Sequence, residues 1–542
     1  ADQSAALTVG TPLALNLAKA GQNGRFTFSG TAGQLLGLQV ANLATSIPGQ
    51  MTYFRVRDPD GIDVPSGSVN LYASAQTSFT NLALPAKTGT YTLFVDPALG
   101  ATAAATIKLV APVTGTLNTA TSTNVTIPNA GQSAYLTFNG NAGDRLGVGL
   151  TAIGATPSGY LSISVNKPDG SLLTSASCYT PNARCDVNLP QLAVGGTYTL
   201  VATPSQTMTA SFVAHLSNDQ AGTLATGSPF ALNLSVPGQN GRLTFAGTAG
   251  QRVGLRFSGL TIAPAGQTTF VRIFDPDGSP FGAQSSVNVV AGDTFVNLTL
   301  PQKTGTYVMT IDPQLAGTVT ASVTLFGAAQ SSVAIGGSTT MSTGYGGQVA
   351  YVTFNGTAGQ KLGIGLTNVS ASSAGSLSVY VNKPDENYIT TSSCYSPNQR
   401  CDTNVPALPA TATYTVVVVP SATTTMSFTL TLAADQEGTL ALGSPIAMNL
   451  AAPGQNGRFT FAGSASQQVT IGFAGLSTTP AGQSTFVRIT TSSGSSFSGS
   501  SPNLANGTTA IPLTLPANDT YTIFVDPQAA ATATATISLT SP

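Results

Sequence analysis

The chain has 542 residues, of which 19 are basic and 20 are acidic, so its formal net charge is −1. Such a balance argues against electrostatic attachment to nucleic acid or to an anionic membrane surface. No stretch approaches the roughly 20 consecutive apolar residues of a membrane-spanning helix. Charged residues make up only 7% of the chain while hydrophobic residues reach 42%, a composition that favours packed sheets over disorder.

The first 110 residues predict eight short β-strands. In each one apolar and polar residues alternate, and β-branched and aromatic side chains are frequent, which is typical of half-buried strands. Eight strands in a segment of this length predict a β-sandwich. The predicted strands span 13–17, 25–28, 36–40, 53–57, 69–71, 79–84, 91–95 and 105–109.

One signature, Gly-Gln-Asn-Gly-Arg-Phe-Thr-Phe from Gly21 to Phe28, recurs in related form along the whole chain. The later versions end at Phe138, Phe245, Phe354 and Phe461, at successive spacings of 110, 107, 109 and 107 residues. Self-similarity at a nearly fixed period indicates a tandem array of one small domain. The whole chain is also too long for a single hydrophobic core, whereas one period suits a domain that folds alone.

The five units are of two alternating types. The first, third and fifth share Gly-Gln-Asn-Gly-Arg, while the second and fourth read Gly-Gln-x-Ala-Tyr and alone contain cysteine. A short link containing Pro112 stiffens the first joint and favours a rod over beads on a flexible string. The expected domains are A1 (1–110), B1 (111–218), A2 (219–327), B2 (328–434) and A3 (435–542).

Three short motifs recur within the units. Ala32-Gly33-Gln34 precedes an alternating strand, Asp58-Pro59-Asp60-Gly61 lies in mid-unit, and Gly89-Thr90-Tyr91 opens a late strand. Together they resemble the bacterial pre-peptidase C-terminal (PPC) domain. The resemblance implies a jelly-roll-type β-sandwich, carried on secreted bacterial enzymes or in tandem on surface proteins. A3 departs from it with Thr491-Ser492-Ser493-Gly494 at the acidic turn, and the chain shows no peptidase domain.

The four cysteines form two pairs with the same spacing. Cys178 and Cys185 lie in B1, and Cys394 and Cys401 lie 216 residues later in B2. Two identical Cys-x6-Cys pairs predict two local disulfides formed in an oxidising compartment. A zinc site would need four soft ligands, and the single histidine, His215, leaves each cysteine pair short of partners.

We predict no catalytic, cofactor or metal site. His215 has no counterpart in the other units, and a base needs a positioned nucleophile and an orienting acid. The alternative to having no metal site is that the pairs Asp58/Asp60 and Asp275/Asp277 bind calcium. Two carboxylates are too few for a shell of six to eight oxygens, and a Pro-Asp-Gly turn needs no metal to explain it.

These features favour an extracellular bacterial structural protein at the cell surface: a rod that forms a filament, sheath or adhesin stalk by self-association into a homopolymer. Tyr179 and Tyr395, inside the cysteine loops, are candidate contact residues. Because an A unit stands at each end, an end-to-end polymer needs an A-to-A contact, whereas lateral packing can set A against B. The alternatives are a module array that binds a surface glycan or matrix, or the accessory region of a secreted hydrolase.

Overall fold

A computed structural model describes residues 1–205, 207–421 and 424–541 and shows an all-β chain. The described residues form 45 strands in five successive sets of nine, one set for each unit. Every set makes one five-stranded and one four-stranded sheet. None of the helical segments in this part of the chain is long and apolar enough to cross a membrane.

The first two units contain strands of similar length in the same order. In A1 they are β1 (Gln3–Ala6), β2 (Leu13–Leu17), β3 (Gly24–Gly30), β4 (Leu35–Thr45), β5 (Met51–Arg57), β6 (Asp63–Tyr72), β7 (Ser78–Ala83), β8 (Gly89–Pro97) and β9 (Ala103–Val110). In B1 they are β10 (Val113–Thr116), β11 (Thr123–Ile127), β12 (Ala134–Gly140), β13 (Leu146–Thr156), β14 (Tyr160–Asn166), β15 (Leu172–Tyr179), β16 (Cys185–Asn188), β17 (Gly196–Pro204) and β18 (Thr209–Asn218).

The remaining three units repeat this order. In A2 the strands are β19 (Gln220–Thr223), β20 (Pro229–Leu234), β21 (Gly241–Gly247), β22 (Arg252–Ala263), β23 (Thr269–Phe274), β24 (Ser286–Val289), β25 (Gly292–Thr299), β26 (Gly305–Pro313) and β27 (Thr318–Gly327). In B2 they are β28 (Ala329–Ser332), β29 (Ser338–Ser342), β30 (Ala350–Gly356), β31 (Leu362–Ala371), β32 (Ser376–Asn382), β33 (Tyr388–Tyr395), β34 (Cys401–Val405), β35 (Ala412–Pro420) and β36 (Met426–Ala434). In A3 they are β37 (Gln436–Thr439), β38 (Ile446–Leu450), β39 (Gly457–Gly463), β40 (Gln468–Thr479), β41 (Thr485–Thr490), β42 (Asn503–Leu504), β43 (Gly507–Thr514), β44 (Asp519–Pro527) and β45 (Thr532–Thr540).

Helical structure in the described residues is confined to single 3₁₀ turns that connect strands. They are Ala98–Gly100, Thr180–Asn182, Ala283–Ser285, Gln314–Ala316 and Ser396–Asn398.

The prediction of eight strands per unit is wrong by one. The five-stranded sheet of A1 has the order β1-β3-β8-β5-β6 and the four-stranded sheet the order β2-β9-β4-β7. The missed strand is β1, which pairs in parallel with β3 so that Gln3 lies opposite Gly24. Its sequence Gln-Ser-Ala-Ala contains no large apolar side chain, so hydrophobic alternation cannot reveal it. Backbone pairing with the next strand but one holds it instead.

Each unit has its own hydrophobic core, to which both of its sheets contribute. In A1, Phe26 of β3 and Leu38 of β4 belong to one fully buried cluster. The clusters of the other units are likewise drawn from within one unit each. No described core residue is shared between units, so each unit buries its own apolar side chains when it folds. Burial of one large apolar side chain stabilises the fold by roughly 1.5–3 kcal/mol.

The phenylalanine that ends the signature is a core residue. Phe28 stacks on Tyr91 with 5.6 Å between ring centroids, and the hydroxyl of the fully buried Tyr91 donates to the carbonyl of Lys87 at 2.7 Å. Burying a tyrosine without strain requires such a partner for its hydroxyl. The same Phe–Tyr pair is present in the other four units.

The links between units are very short. Two residues separate β9 from β10, and one residue separates β18 from β19, β27 from β28 and β36 from β37. The signature glutamine of each following unit donates its side-chain amide to a carbonyl at the link. The bonds are Gln132 to Ala111 at 2.9 Å, Gln239 to Asn218 at 3.0 Å, Gln348 to Gly327 at 3.2 Å and Gln455 to Ala434 at 2.9 Å.

Candidate functional site: the junctions between units

The four-stranded sheet of each unit presents one edge to the unit that follows. In A1, β4 pairs with β7 so that Gly37 lies opposite Asn81. The next three units have the same arrangement, as Gly147–Asn188, Gly254–Asn297 and Gly363–Asn404. We call this edge the trailing face, and the surface of the next unit that meets it the leading face. In A3 the register places Thr470 opposite Pro512, so A3 has neither the glycine nor the asparagine.

In the A-to-B junctions this asparagine binds the backbone of the signature loop. The Asn81 side-chain amide donates to the carbonyl of Gly131 at 3.0 Å, and the Ser133 amide donates to Asn81 Oδ1 at 2.9 Å. Both hydrogen-bonding groups of one side chain are therefore used across the junction. The A2–B2 junction repeats these bonds from Asn297, to Gly347 at 3.0 Å and from Val349 at 3.2 Å.

The cysteine loops lie at the B-to-A junctions. Cys178 in β15 is bonded to Cys185 at the start of β16, with 5.6 Å between their Cα atoms. Since β15 is the edge of the five-stranded sheet and β16 the edge of the four-stranded sheet, the disulfide ties the two sheets together on one side. Cys394 and Cys401 do the same in B2, with 5.5 Å between Cα atoms.

The residues on either side of Cys185 bind the following A unit. Arg184 donates from Nε to the carbonyl of Leu315 at 3.1 Å and from its terminal nitrogen to the carbonyl of Ala316. In return, the Ala316 amide donates to Asp186 Oδ1 at 3.0 Å. Arg184 and Asp186 therefore both hydrogen-bond to the same 3₁₀ turn of A2.

The B2–A3 junction has the equivalent hydrogen bonds, although the receiving turn carries different side chains. Arg400 donates to the carbonyls of Ala529 and Ala530 at 3.1 and 2.5 Å, and the Ala530 amide donates to Asp402 at 3.0 Å. The contacts depend on the backbone of the receiving turn, so its side chains can vary while the junction is preserved.

A second set of bonds lies beside the first. Asn188 donates to Asp312 Oδ2 at 2.8 Å and accepts from Asn240 at 2.8 Å. In B2, Asn404 donates to Asp526 Oδ2 at 2.9 Å. The trailing-face asparagine thus has a role in every one of the four junctions, with backbone partners in A-to-B and side-chain partners in B-to-A.

The backbones of the two units touch at the B-to-A junctions. A Cβ atom built on Gly147 would lie 1.9 Å from the carbonyl oxygen of Gly238, and one on Gly149 would lie 2.2 Å from that of Pro237. The same positions in B2, Gly363 and Gly365, would meet Gly454 and Pro453 at 1.9 and 2.4 Å. Only glycine fits at these positions of the trailing strand.

Carboxylates are buried together at these junctions. Burial, and after it the nearby negative charge of Asp186, raises the pKa of Asp312 to about 6. Burial also raises the pKa of Asp186, opposed by its hydrogen bonds from the A2 backbone. In the B2–A3 junction Asp526 and Asp402 behave in the same way, with burial the first cause for each.

The acidic turns of A1 and A2 hold lysines. Lys87 bridges Asp58 and Asp60, at 2.7 Å from the latter, and the Asp58 side chain is only 5% exposed. Lys303 bridges Asp275 and Asp277 in the same way in A2. In both turns the lysine ammonium group lies between the two carboxylates, where a calcium ion would have to bind. Across the described residues, no group of three or more His, Cys, Asp or Glu side chains is arranged to hold a metal ion.

The remaining candidates lie apart from one another. Tyr179 and Tyr395 are 48% and 54% exposed, and Tyr179 packs on Tyr160 with 5.2 Å between ring centroids. His215 is hydrogen-bonded to Thr151 Oγ1 at 3.0 Å, and burial lowers the pKa of His215. The two tyrosines remain accessible for contact, while the histidine is engaged within its own sheet.

Comparison with known proteins gives no family. No family model matches the chain, and no curated protein matches it. Among solved structures, the CUB1-EGF-CUB2 domains of rat MASP-1 are similar at 10% identity and a TM-score of 0.14, covering 39% of this chain and 99% of that one. A triple jelly roll protein of an archaeal virus turret is similar at 10% identity and a TM-score of 0.17, covering 58% and 90%. Scores this low carry no argument, so the PPC resemblance stays a prediction.

Recurrence at one position in several units marks the junction residues in the sequence, although hydrophobic alternation does not reveal them. Asn81, Asn188, Asn297 and Asn404 occupy one position in four units, and Pro512 replaces them in the fifth. Arg and Asp flank the second cysteine of both B units. A residue that recurs wherever another unit follows is a junction candidate, but only the packing shows what it binds.

Proposed function

We propose that this chain is an extracellular bacterial structural protein, a stiff rod of five PPC-like β-sandwich units that serves as a filament, sheath or adhesin stalk. The observation that carries the proposal is the construction of the four junctions. Each combines a link of one or two residues with direct hydrogen bonds from the trailing-face asparagine. Units joined in this way have little freedom to bend, which a spacer or stalk requires and a flexible array of independent modules does not.

The sandwich description of each unit is supported by its two sheets sharing one core. Two disulfides, each within a B unit, support secretion into an oxidising compartment. The low charge of the surface, with 39 charged side chains among Lys, Arg, Asp and Glu in 542 residues (19 basic plus 20 acidic), allows copies to lie side by side without strong repulsion. Self-association of the rods is therefore part of the proposal.

Electron microscopy of the native assembly, labelled with an antibody against the chain, tests this function. We expect label along ordered fibres, a sheath or a surface stalk, and purified chains should be straight particles of a single length. Isolated rods that bind a glycan array, with no label on any surface structure, would favour the glycan-binding alternative. Label confined to a secreted hydrolase would favour the third.

A further inference from the structure

A1 has a leading face of the same construction as those of A2 and A3. Its turn Ala98–Gly100 is closed by the Ala101 amide donating to Ala98 at 3.0 Å, as the Gly317 amide closes the A2 turn at 3.1 Å. Leu99 adopts φ 53°, the same left-handed value as Leu315. A left-handed leucine is a strained conformation that a surrounding structure must impose. The strain is present in A1 although no described unit covers this turn.

The A1 face differs from the other two in being open. Leu99 is 79% exposed whereas its A2 counterpart Leu315 is half-buried, and Gly100 is exposed whereas its counterpart Ala316 is fully buried. A Cβ atom built on Gly238 would lie 2.4 Å from the Gly149 amide nitrogen of B1. For Gly21, the A1 counterpart with φ +72°, no atom of the described residues lies within 4 Å of such a Cβ. The turn that receives a B unit in A2 is therefore formed in A1 as well, where none of the described residues covers it.

The two occupied faces define what fits the open one. The partner needs a Gly-x-Gly strand, because the signature loop lies directly against Gly147 and Gly149. It also needs an arginine to bind two turn carbonyls and a carboxylate to accept from the turn amide, as Arg184 and Asp186 do.

The A units lack this set. At the position of Gly149 they have Gln39, Arg256 and Gly472, and A3 has Thr470 at the position of Gly147. A threonine there would place its Cβ where the carbonyl oxygen of the receiving loop lies 1.9 Å away. The trailing face of A3 therefore cannot meet a leading face such as that of A1 in the geometry that B units use.

We propose that the leading face of A1 is a docking site for a B-type unit, one that presents Gly-x-Gly and Arg-Cys-Asp-x-Asn at its trailing face. The trailing faces of B1 and B2 are covered by A2 and A3, so the occupant of the A1 face is a further unit of this type. This goes beyond the stalk function, because it assigns a defined binding partner to one face of A1.

A fragment of residues 1–218 tests the proposal, since it contains an open A1 face and a B1 face freed from A2. Each of its units has a separate core and B1 retains its disulfide. We expect the fragment to associate head to tail, with a sedimentation coefficient that rises with concentration. Gly21→Ala and Arg184→Ala should each weaken association at least about tenfold. Gly10→Ala should not, because Gly10 has a similarly positive φ of +89° but belongs to the β1–β2 connection, where its amide donates to Leu109, and not to the signature loop.

A second measurement uses the full chain. Folded B1 (residues 111–218), checked by circular dichroism and by its intact disulfide, should bind the full chain at one site and lose binding to the Gly21→Ala chain. A monomeric 1–218 fragment together with no saturable B1 binding would overturn the proposal, as would association that Gly21→Ala leaves unchanged. Neither result bears on whether the full chain is a stiff rod, which microscopy measures separately.

Discussion

The carbonyl oxygen of Gly238 lies against Gly147 of the preceding unit so closely that a Cβ atom on Gly147 would stand 1.9 Å from it. The contact is between two backbones. Beside it, the side chains of Arg184 and Asn188 in B1 donate hydrogen bonds to A2.

Gly147→Ala should open the B1–A2 junction. The added methyl group cannot be accommodated without moving the Gly238 loop, and overpacking of this kind costs about 1–3 kcal/mol. Small-angle scattering should show a bent or more variable particle, with proteolysis increasing at the link residue Asp219. Gly195→Ala is the control, because its nearest described contacts lie 3.7 Å away. Equal scattering curves for the two variants would contradict the prediction.

Arg184→Ala should loosen the same junction without unfolding either unit. It leaves the carbonyls of Leu315 and Ala316 without their cationic donor, a loss of about 1.5–3 kcal/mol for hydrogen bonds to a charged group. Distance measurements between labels on B1 and A2 should broaden, while each unit keeps its melting transition. Arg272→Ala, which removes a guanidinium stacked on Phe270 within A2, should leave the distances unchanged.

The B-to-A junctions should weaken as pH rises from about 4 through about 6. The pKa of Asp312 is raised by burial to about 6 from an ordinary 3.8, so in this range the folded junction holds a proton that the unfolded chain has released. The free energy of unfolding therefore falls with increasing pH, by an amount of the order of 1–3 kcal/mol. The facing carboxyls of Asp186 and Asp219, whose pKa values burial also raises, add in the same direction.

Asp312→Asn should remove much of this pH dependence, measured as chemical unfolding of the A2 unit at a series of pH values. Asp96→Asn is the matched control, because Asp96 is the equivalent residue of A1 and its face is not covered by a described unit. A stability that increases between pH 4 and 6 in the native chain would show that the carboxyl is not held protonated.

Reduction of the disulfides should destabilise the B units selectively. Closing a short loop stabilises a fold by about 2–3 kcal/mol in the chain-entropy estimate, and Cys178–Cys185 also fixes the start of β16, where Arg184 and Asp186 flank Cys185. The double change Cys178→Ala and Cys185→Ala should lower the melting temperature of B1 while B2 and the A units keep theirs. Peptide mapping without reductant should recover the pairs 178–185 and 394–401. A bridge between units would refute this arrangement.

Calcium should not stabilise the A units. In A1 the Lys87 ammonium already bridges Asp58 and Asp60, and its hydrogen bond lowers the pKa of Asp58. The melting temperature of the native chain should be the same with calcium as with a chelator. Lys87→Ala should lower the stability of A1, because the buried Asp58 loses its cationic partner. A calcium-dependent rise that Asp58→Asn abolishes would restore the metal site.

The sequence by itself determined the five-fold repeat, the alternation of two unit types and nearly all of the strands. These follow from local patterns, namely a signature at a fixed period and apolar alternation, which each segment carries regardless of its neighbours. The pairing of Cys178 with Cys185 follows as well, since the repeat isolates one pair per B unit. The parallel strand β1 was missed because it is held by backbone hydrogen bonds and not by an apolar face.

Only the tertiary structure decided how the units join. Asn81 is a polar residue on an edge strand, and nothing local to it indicates that its amide binds Gly131 some 50 residues later. Lys87 lies 29 residues from Asp58, so the acidic turn could be seen in the sequence but its cation could not. Contacts between residues distant in sequence depend on sheet register and on the placing of one unit against the next, and these are set by packing of the whole chain.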